Sequence, residues 1–392
     1  MKTTDKEMTQ KEMTKWVSCW GTATSISDRH ESTYARDLTL RYRLTMSLDG
    51  CKLRLRFSNQ TGTEAVKIGS IRVARVGCDG HHGETVTVTW HGSEEMTIGP
   101  TKEETTDEVT MNVVRGEQID ISFHLPDFTQ MNSGTLLSGP LSKGKFSYGN
   151  HTELDELPMD LSRNTGWFYF LNTVDVLTYD HCHALICYGD SITAQSWPDY
   201  LTLRLLEREE SHVAVIRRAV CGTRILRQYD CITYQAYGLK GATRFPVETN
   251  VAGARDVIIQ HGINDIIHPV GSDVNPFRPW SDMPTVEELE HGVESLYVSH
   301  ARNKGLGVWS GTLTPIDGWR TYVPMREEMR KSFNEWLQTS EIFDGCVDFD
   351  AAVRDPDTKT KFKKGFDSGD HLHPSEAAYK EMAATVPEEL LK

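Results

Sequence analysis

The chain has 392 residues, and its 42 Lys and Arg against 56 Asp and Glu leave a net charge of −14. With 38% hydrophobic and 25% charged residues it has the composition of a globular protein of two or three domains, which excludes collagen-like, low-complexity and disordered chains. An acidic balance repels polyanions, so neither nucleic acid nor an anionic membrane is an expected partner.

Residues 1–15 read as a polar tail with no apolar stretch of the signal-peptide kind. No run of about 18 apolar residues follows anywhere, so no membrane insertion is expected, and the predicted location is cytoplasmic. From Leu38 the sequence alternates with period two. Leu38, Leu40, Tyr42, Leu44 and Met46 share one face, as do Leu53, Leu55 and Phe57. Asp49-Gly50 between these runs predicts a tight hairpin with positive φ. Val66–Val76, Val86–Trp90, Val109–Val113 and Ile119–Leu125 continue the rhythm, and together they predict a β-sandwich over residues 16–178.

Beyond about residue 178 the rhythm changes. Ala184–Tyr188 is continuously apolar, as a strand buried on both faces would be. A helix is predicted from Pro198 to Leu206, and further buried strands at Val213–Ile216, Val257–Ile259 and Val308–Trp309. Thr285 and Glu288 form a capping box before a helix that Gly305 stops, and Pro374 opens a last helix. Strands alternating with helices imply an α/β layer with a parallel sheet over 179–392. Eight scattered cysteines without a C-x-x-C pair read as reduced thiols. His181-Cys182-His183 has a metal-binding flavour but no third ligand at useful spacing, so it reads as a junction strand and no metal is expected.

A parallel sheet carries its chemistry at the carboxyl ends of its strands. The first exits into Gly189-Asp190-Ser191-Ile192, where a sharp turn would present the Ser191 hydroxyl. Another exits into Gly262-Ile263-Asn264-Asp265, where an Asn side chain can donate to a developing oxyanion. Near the C-terminus, Asp370-His371-Leu372-His373-Pro374 lets Asp370 orient the ring of His373 as a base. His371 competes for that role, but the Asp three residues before and the Pro after favour His373. No G-x-S-x-G elbow occurs.

These motifs, with Gly222 between the first two and in this order, resemble the SGNH/GDSL hydrolases. Gly311–Pro315, Val347–Asp350, Trp16–Trp20, Arg54–Asn59 and Trp167–Phe170 resemble the subgroup with an N-terminal β-domain. The resemblance implies a flavodoxin-like three-layer α/β/α domain preceded by a jelly-roll-like sandwich, and a serine esterase that needs no cofactor. Ser191 would be the nucleophile, His373 the base and Asp370 its orienting carboxylate. The N–H groups of Ser191 and Gly222 and the side chain of Asn264 would form the oxyanion hole. Ala194 stands where the family's commonest first motif has Asp. Asp265 is expected to support its loop, while His261 and His268 are read as ordinary surface or satisfied core residues.

Short-chain or acetyl esters of a small molecule or an oligosaccharide are the expected substrates. The alternatives are a lysophospholipase or thioesterase-type acyl hydrolase, and a catalytically silent carbohydrate-binding protein. Arg224, the tyrosines Tyr229, Tyr234 and Tyr237, and Phe277 and Trp280 on the long connection Ile266–Pro284 are candidate substrate contacts, with ordinary packing or pairing as the competing reading.

Overall fold

A computed structural model describes residues 13–26, 33–229, 231 and 237–392, so residues 1–12 of the polar tail, and Tyr234, lie outside the described residues. The alternating half builds ten principal strands. They are Met13–Gly21 (β1), Leu38–Thr45 (β2), Gly50–Ser58 (β3), Ser70–Val76 (β4), Val86–Val88 (β5), Val109–Val113 (β6), Gln118–Leu125 (β7), Ser142–Tyr148 (β8), Ser162–Thr165 (β9) and Leu171–Tyr179 (β10). They pair antiparallel in two sheets, ordered β1-β10-β3-β6 and β9-β8-β2-β7-β4-β5. Phe57 of the first sheet meets Phe123 of the second edge to face at 5.2 Å, so the apolar faces close on each other.

The hairpin expected at Asp49-Gly50 is not formed. β2 and β3 lie in different sheets, and the chain arches from one layer to the other between them. Gly50 is not among the residues with positive φ. Its lack of a side chain serves close packing instead, since a Cβ there would lie 2.8 Å from Cβ of Val176. Asp49 is occupied by the next turn, where its carboxylate accepts the N–H of Arg115 at 2.8 Å. Alternation reports which face is buried, and both the hairpin and the arch satisfy that condition.

The second half forms a parallel sheet of His183–Gly189 (β11), Val213–Ala219 (β12), Ala254–Gln260 (β13), Gly307–Gly311 (β14) and Gly345–Val347 (β15). Its order, β12-β11-β13-β14-β15, is the doubly wound order of flavodoxin-like sheets. The apolar run Ala184–Tyr188 is fully buried within it. The capping box forms as the sequence predicts: Glu288 N–H donates to Oγ1 of Thr285 at 3.2 Å, and Thr285 N–H to the Glu288 carboxylate at 2.9 Å. The last helix, Glu376–Thr385, is capped by Ser375, so Pro374 sits one residue before the cap.

The register positions the site. Gly189 stands level with Ala219 on one side and with Gln260 on the other. The loops leaving β11, β12 and β13 therefore depart from one level of the sheet. Only Asp180, His181 and Cys182 separate β10 from β11. The sandwich also grips the sheet elsewhere: the Ser18 N–H donates to the Ala252 carbonyl at 2.9 Å, and the Arg217 guanidinium to the Ser138 carbonyl at 2.9 Å. Among the described residues no helix is long and apolar enough to cross a membrane.

Candidate active site

Ser191 opens the four-residue helix Ser191–Ala194 directly after β11, with Asp190 as its cap. The Asp190 carboxylate accepts the Ile192 N–H at 3.1 Å, which sets the turn that carries the serine. Asp190 is fully buried, and burial pushes its carboxyl up to about 7. Ser191 is itself 7% exposed.

His373 arrives from the loop before the last helix. Asp370 folds that loop around itself, with Oδ1 accepting the N–H of Leu372 at 3.0 Å and of His373 at 2.8 Å, while Oδ2 meets Nδ1 of His373 at 2.6 Å. The opposite ring nitrogen, Nε2, lies 2.9 Å from Ser191 Oγ, although 182 positions separate the two residues in sequence. Burial raises the Asp370 carboxyl, but the His373 and Leu372 N–H groups and the His373 ring outweigh it, so it sits below the ordinary carboxylate value. His371 turns away, with φ of 64° and its ring on Asp367 at 2.5 Å.

Gly222 and Asn264 come from the loops beyond β12 and β13. Gly222 has φ of 78°, and a Cβ there would overlap the Tyr237 ring, so only glycine fits on both counts. Asn264 lies in the short helix Ile263–Ile267, entered through Gly262 at φ of 128°. Its Nδ2 donates one hydrogen to the Thr223 carbonyl at 3.0 Å, which leaves the second amide hydrogen for another acceptor. Asp265 ties the two loops together, with its carboxylate accepting the N–H groups of Ile225 and Leu226. Burial pushes the Asp265 carboxyl up to about 6.

The remaining candidates divide. Arg224 is 3% exposed, pairs with Asp282 at 3.0 Å and lies over the Tyr229 ring at 4.4 Å. Tyr229 is buried, and its hydroxyl meets Nδ1 of His268 at 3.0 Å. Both are thus held in packing. Trp280, in contrast, is 52% exposed. His261 is buried between Thr223 and Tyr297, and its pKa falls to about 3 through burial and the nearby Arg244 charge. Sequence reasoning missed Trp319, whose indole stands edge-on to His373 at 6.5 Å between centroids. Its position in the connection after β14 was the available signal.

The profile of the GDSL-like lipase/acylhydrolase family matches residues 187–381, from within β11 to the last helix. These residues form a GDSL-like lipase/acylhydrolase domain. The protein is accordingly a hydrolase of the acylhydrolase type, and the strands of the sandwich lie outside the matched GDSL-like domain. Among solved structures the chain is similar to an acetylxylan esterase, Axe2, from Geobacillus stearothermophilus, at 21% identity over 53% of this chain and 94% of that one, with a TM-score of 0.39. It is also similar to a GDSL-like lipase from Bacteroides thetaiotaomicron VPI-5482, at 14% identity over 53% and 87% of the two chains and a TM-score of 0.35. A third is LAE5, an alpha/beta hydrolase enzyme from the metagenome of Lake Arreo, Spain, at 18% identity over 52% and 92% and a TM-score of 0.40. No curated protein matches the sequence.

Proposed function

We propose that the GDSL-like domain is a serine esterase in which Ser191, His373 and Asp370 act as a catalytic triad. The observation that carries this reading is the continuous chain of contacts from Ser191 Oγ to His373 Nε2 at 2.9 Å and from His373 Nδ1 to Asp370 Oδ2 at 2.6 Å. Ser191 Oγ attacks the ester carbonyl as His373 takes its proton. The oxyanion receives the N–H groups of Ser191 and Gly222 and the spare amide hydrogen of Asn264. His373 then protonates the departing alcohol, and water repeats the attack on the acyl-enzyme and releases the acid. Hydrolysis of p-nitrophenyl acetate, compared with a Ser191→Ala variant, tests the assignment. Equal rates in the two proteins would refute it and favour a silent binding protein.

For substrate we favour short acyl esters of carbohydrates. Trp319 beside His373 and the half-exposed Trp280 are aromatic side chains of the kind that sugar rings pack against, with the guanidiniums of Arg320 and Arg326 over one face of each at 4.4 and 5.4 Å. A longer acyl chain is the second reading, favoured by Val274 at 71% and Phe277 at 49% exposure on the same connection as Trp280. A series of p-nitrophenyl esters of rising chain length, run beside acetylated oligosaccharides, separates them. Fastest turnover on acetyl donors supports the first reading, and a maximum at long chains supports the second.

A further inference from the structure

The turn that joins the sandwich to the parallel sheet carries two metal-ligating side chains, and the fold brings a third to them. His181 and Cys182 occupy the tight turn between β10 and β11, closed by the Cys182 N–H donating to the Tyr179 carbonyl at 3.0 Å. His212 is 30 positions further on, immediately before β12. Parallel pairing sets β12 beside β11, and the His183 N–H donates to the His212 carbonyl at 2.9 Å, so the entry of one strand lies against the entry of the other. A ligand atom from each of His181, Cys182 and His212 lies within 4.8 Å of the other two.

The two imidazoles stand edge to face at 4.2 Å between centroids. Among the described residues, no hydrogen bond engages a ring nitrogen of either one, and no carboxylate pairs with them. Cys182 is buried, and its sulfur takes a weak hydrogen bond from the Thr178 hydroxyl at 3.6 Å. The backbone beneath is held firmly, because the Lys15 ammonium donates to the carbonyls of Cys182 at 2.7 Å and Asp180 at 3.1 Å. That ammonium is thereby directed to backbone oxygens. His181 is exposed, so one side of the cluster is open to water.

We propose that His181, Cys182 and His212 bind a thiophilic divalent cation of the zinc class, with water as the fourth ligand. One thiolate and two neutral imidazoles form a nitrogen–sulfur set that suits tetrahedral zinc. Binding forms three protein–metal bonds and releases the thiol proton to solvent. His183 is not a ligand: it follows Cys182 directly in extended chain and so faces the opposite side of the strand. The site lies at the amino ends of β11 and β12, whereas Ser191 follows the carboxyl end of β11. Seven residues of strand lie between, about 20 Å. The metal is therefore a clasp across the inter-sheet turn, separate from ester hydrolysis.

The test uses the full chain, stripped with a chelator and dialysed, then titrated with Co²⁺ and Zn²⁺. The expected result is one equivalent of Co²⁺ with a thiolate-to-cobalt charge-transfer band that Zn²⁺ abolishes. Cys182→Ser should lose the band, His212→Ala should lose stoichiometric binding, and His183→Gln should keep both. Zn²⁺ should raise the thermal midpoint of the wild-type protein and leave its esterase rate unchanged. Should Cys182→Ser fail to fold, the wild-type protein still decides the matter. Zn²⁺ must then shield Cys182 from iodoacetamide, read by mass spectrometry of its peptide. Absence of the band in folded wild-type protein, its survival in Cys182→Ser, or alkylation of Cys182 unaffected by Zn²⁺ would each overturn the proposal.

Discussion

The carboxylate of Asp265 accepts the backbone N–H of Ile225 at 2.8 Å. This bond fastens the loop that carries Gly222 to the helix that carries Asn264, so the two proposed oxyanion donors share one anchor. Asp265→Ala leaves the fully buried Ile225 donor unpaired, which costs about 1–3 kcal/mol. We expect a lowered thermal midpoint together with a kcat reduced by at least about tenfold, since a displaced donor weakens oxyanion binding. Asp265→Asn retains an acceptor and should lose less of both. Thermal unfolding and p-nitrophenyl acetate kinetics on the pair check this, and unchanged kcat in the Ala variant would remove the anchoring role.

Asn264 spends one amide hydrogen on the Thr223 carbonyl, at 3.0 Å. If the other meets the oxyanion, Asn264→Ala should lower kcat on the order of a hundredfold with little change in KM. A rise in KM alone would show that the amide acts on the bound ester and not on the transition state.

Asp370 holds Nδ1 of His373, and the same hydrogen bond fixes Nε2 as the atom facing Ser191. Asp370→Asn should leave the fold intact and lower kcat by about a thousandfold or more, because the amide favours the wrong tautomer. The Asp370 carboxyl is depressed, so it is already ionised when its unfolded counterpart ionises, and the stability it adds is lost only as pH falls through its folded value. Kinetics of p-nitrophenyl acetate hydrolysis on the Asn variant check the loss of rate, and a kcat near the wild-type value would refute the orienting role of Asp370.

Asp190 has the opposite sign. Burial raises its carboxyl to about 7, so the native state holds the proton more tightly than the unfolded chain does. An unfolded Asp ionises near ~3.9, so this group costs stability progressively as pH climbs from there towards the folded value. Asp265, raised to about 6, acts in the same direction. Asp190→Asn can still cap Ile192 and should flatten the fall in thermal midpoint across that interval, leaving the smaller slope due to Asp265. Parallel midpoint-against-pH curves for variant and wild type would show that the buried carboxyl does not titrate there.

Much of this was legible in the sequence because each motif sits where a buried strand ends. Ala184–Tyr188 announces a central strand, so Ser191 had to emerge at its exit, and the helical signals after it follow. The Asp370-x-x-His373 spacing is local, and the loop conformation it predicts is the one found. What was not legible depends on contacts between distant segments. Period two cannot separate an arch from a hairpin, which is why Asp49-Gly50 misled. Trp319 meets His373 across 54 positions, and His212 reaches His181 only through strand pairing. Arg224 illustrates a third limit: a cation near a motif advertises substrate binding, but here Asp282 had already taken it.

The level alignment of Gly189, Ala219 and Gln260 separates what this scaffold can vary from what it cannot. One residue inserted into β11, β12 or β13 would advance that strand's outgoing loop by about 3 Å and send its side chains to the other face, dispersing the reactive groups. Lengthening the stretch from Ile266 to Pro284 disturbs none of those registers and costs little closure entropy. New ester preferences would therefore arise by rebuilding that rim, with the spacing beneath it held fixed.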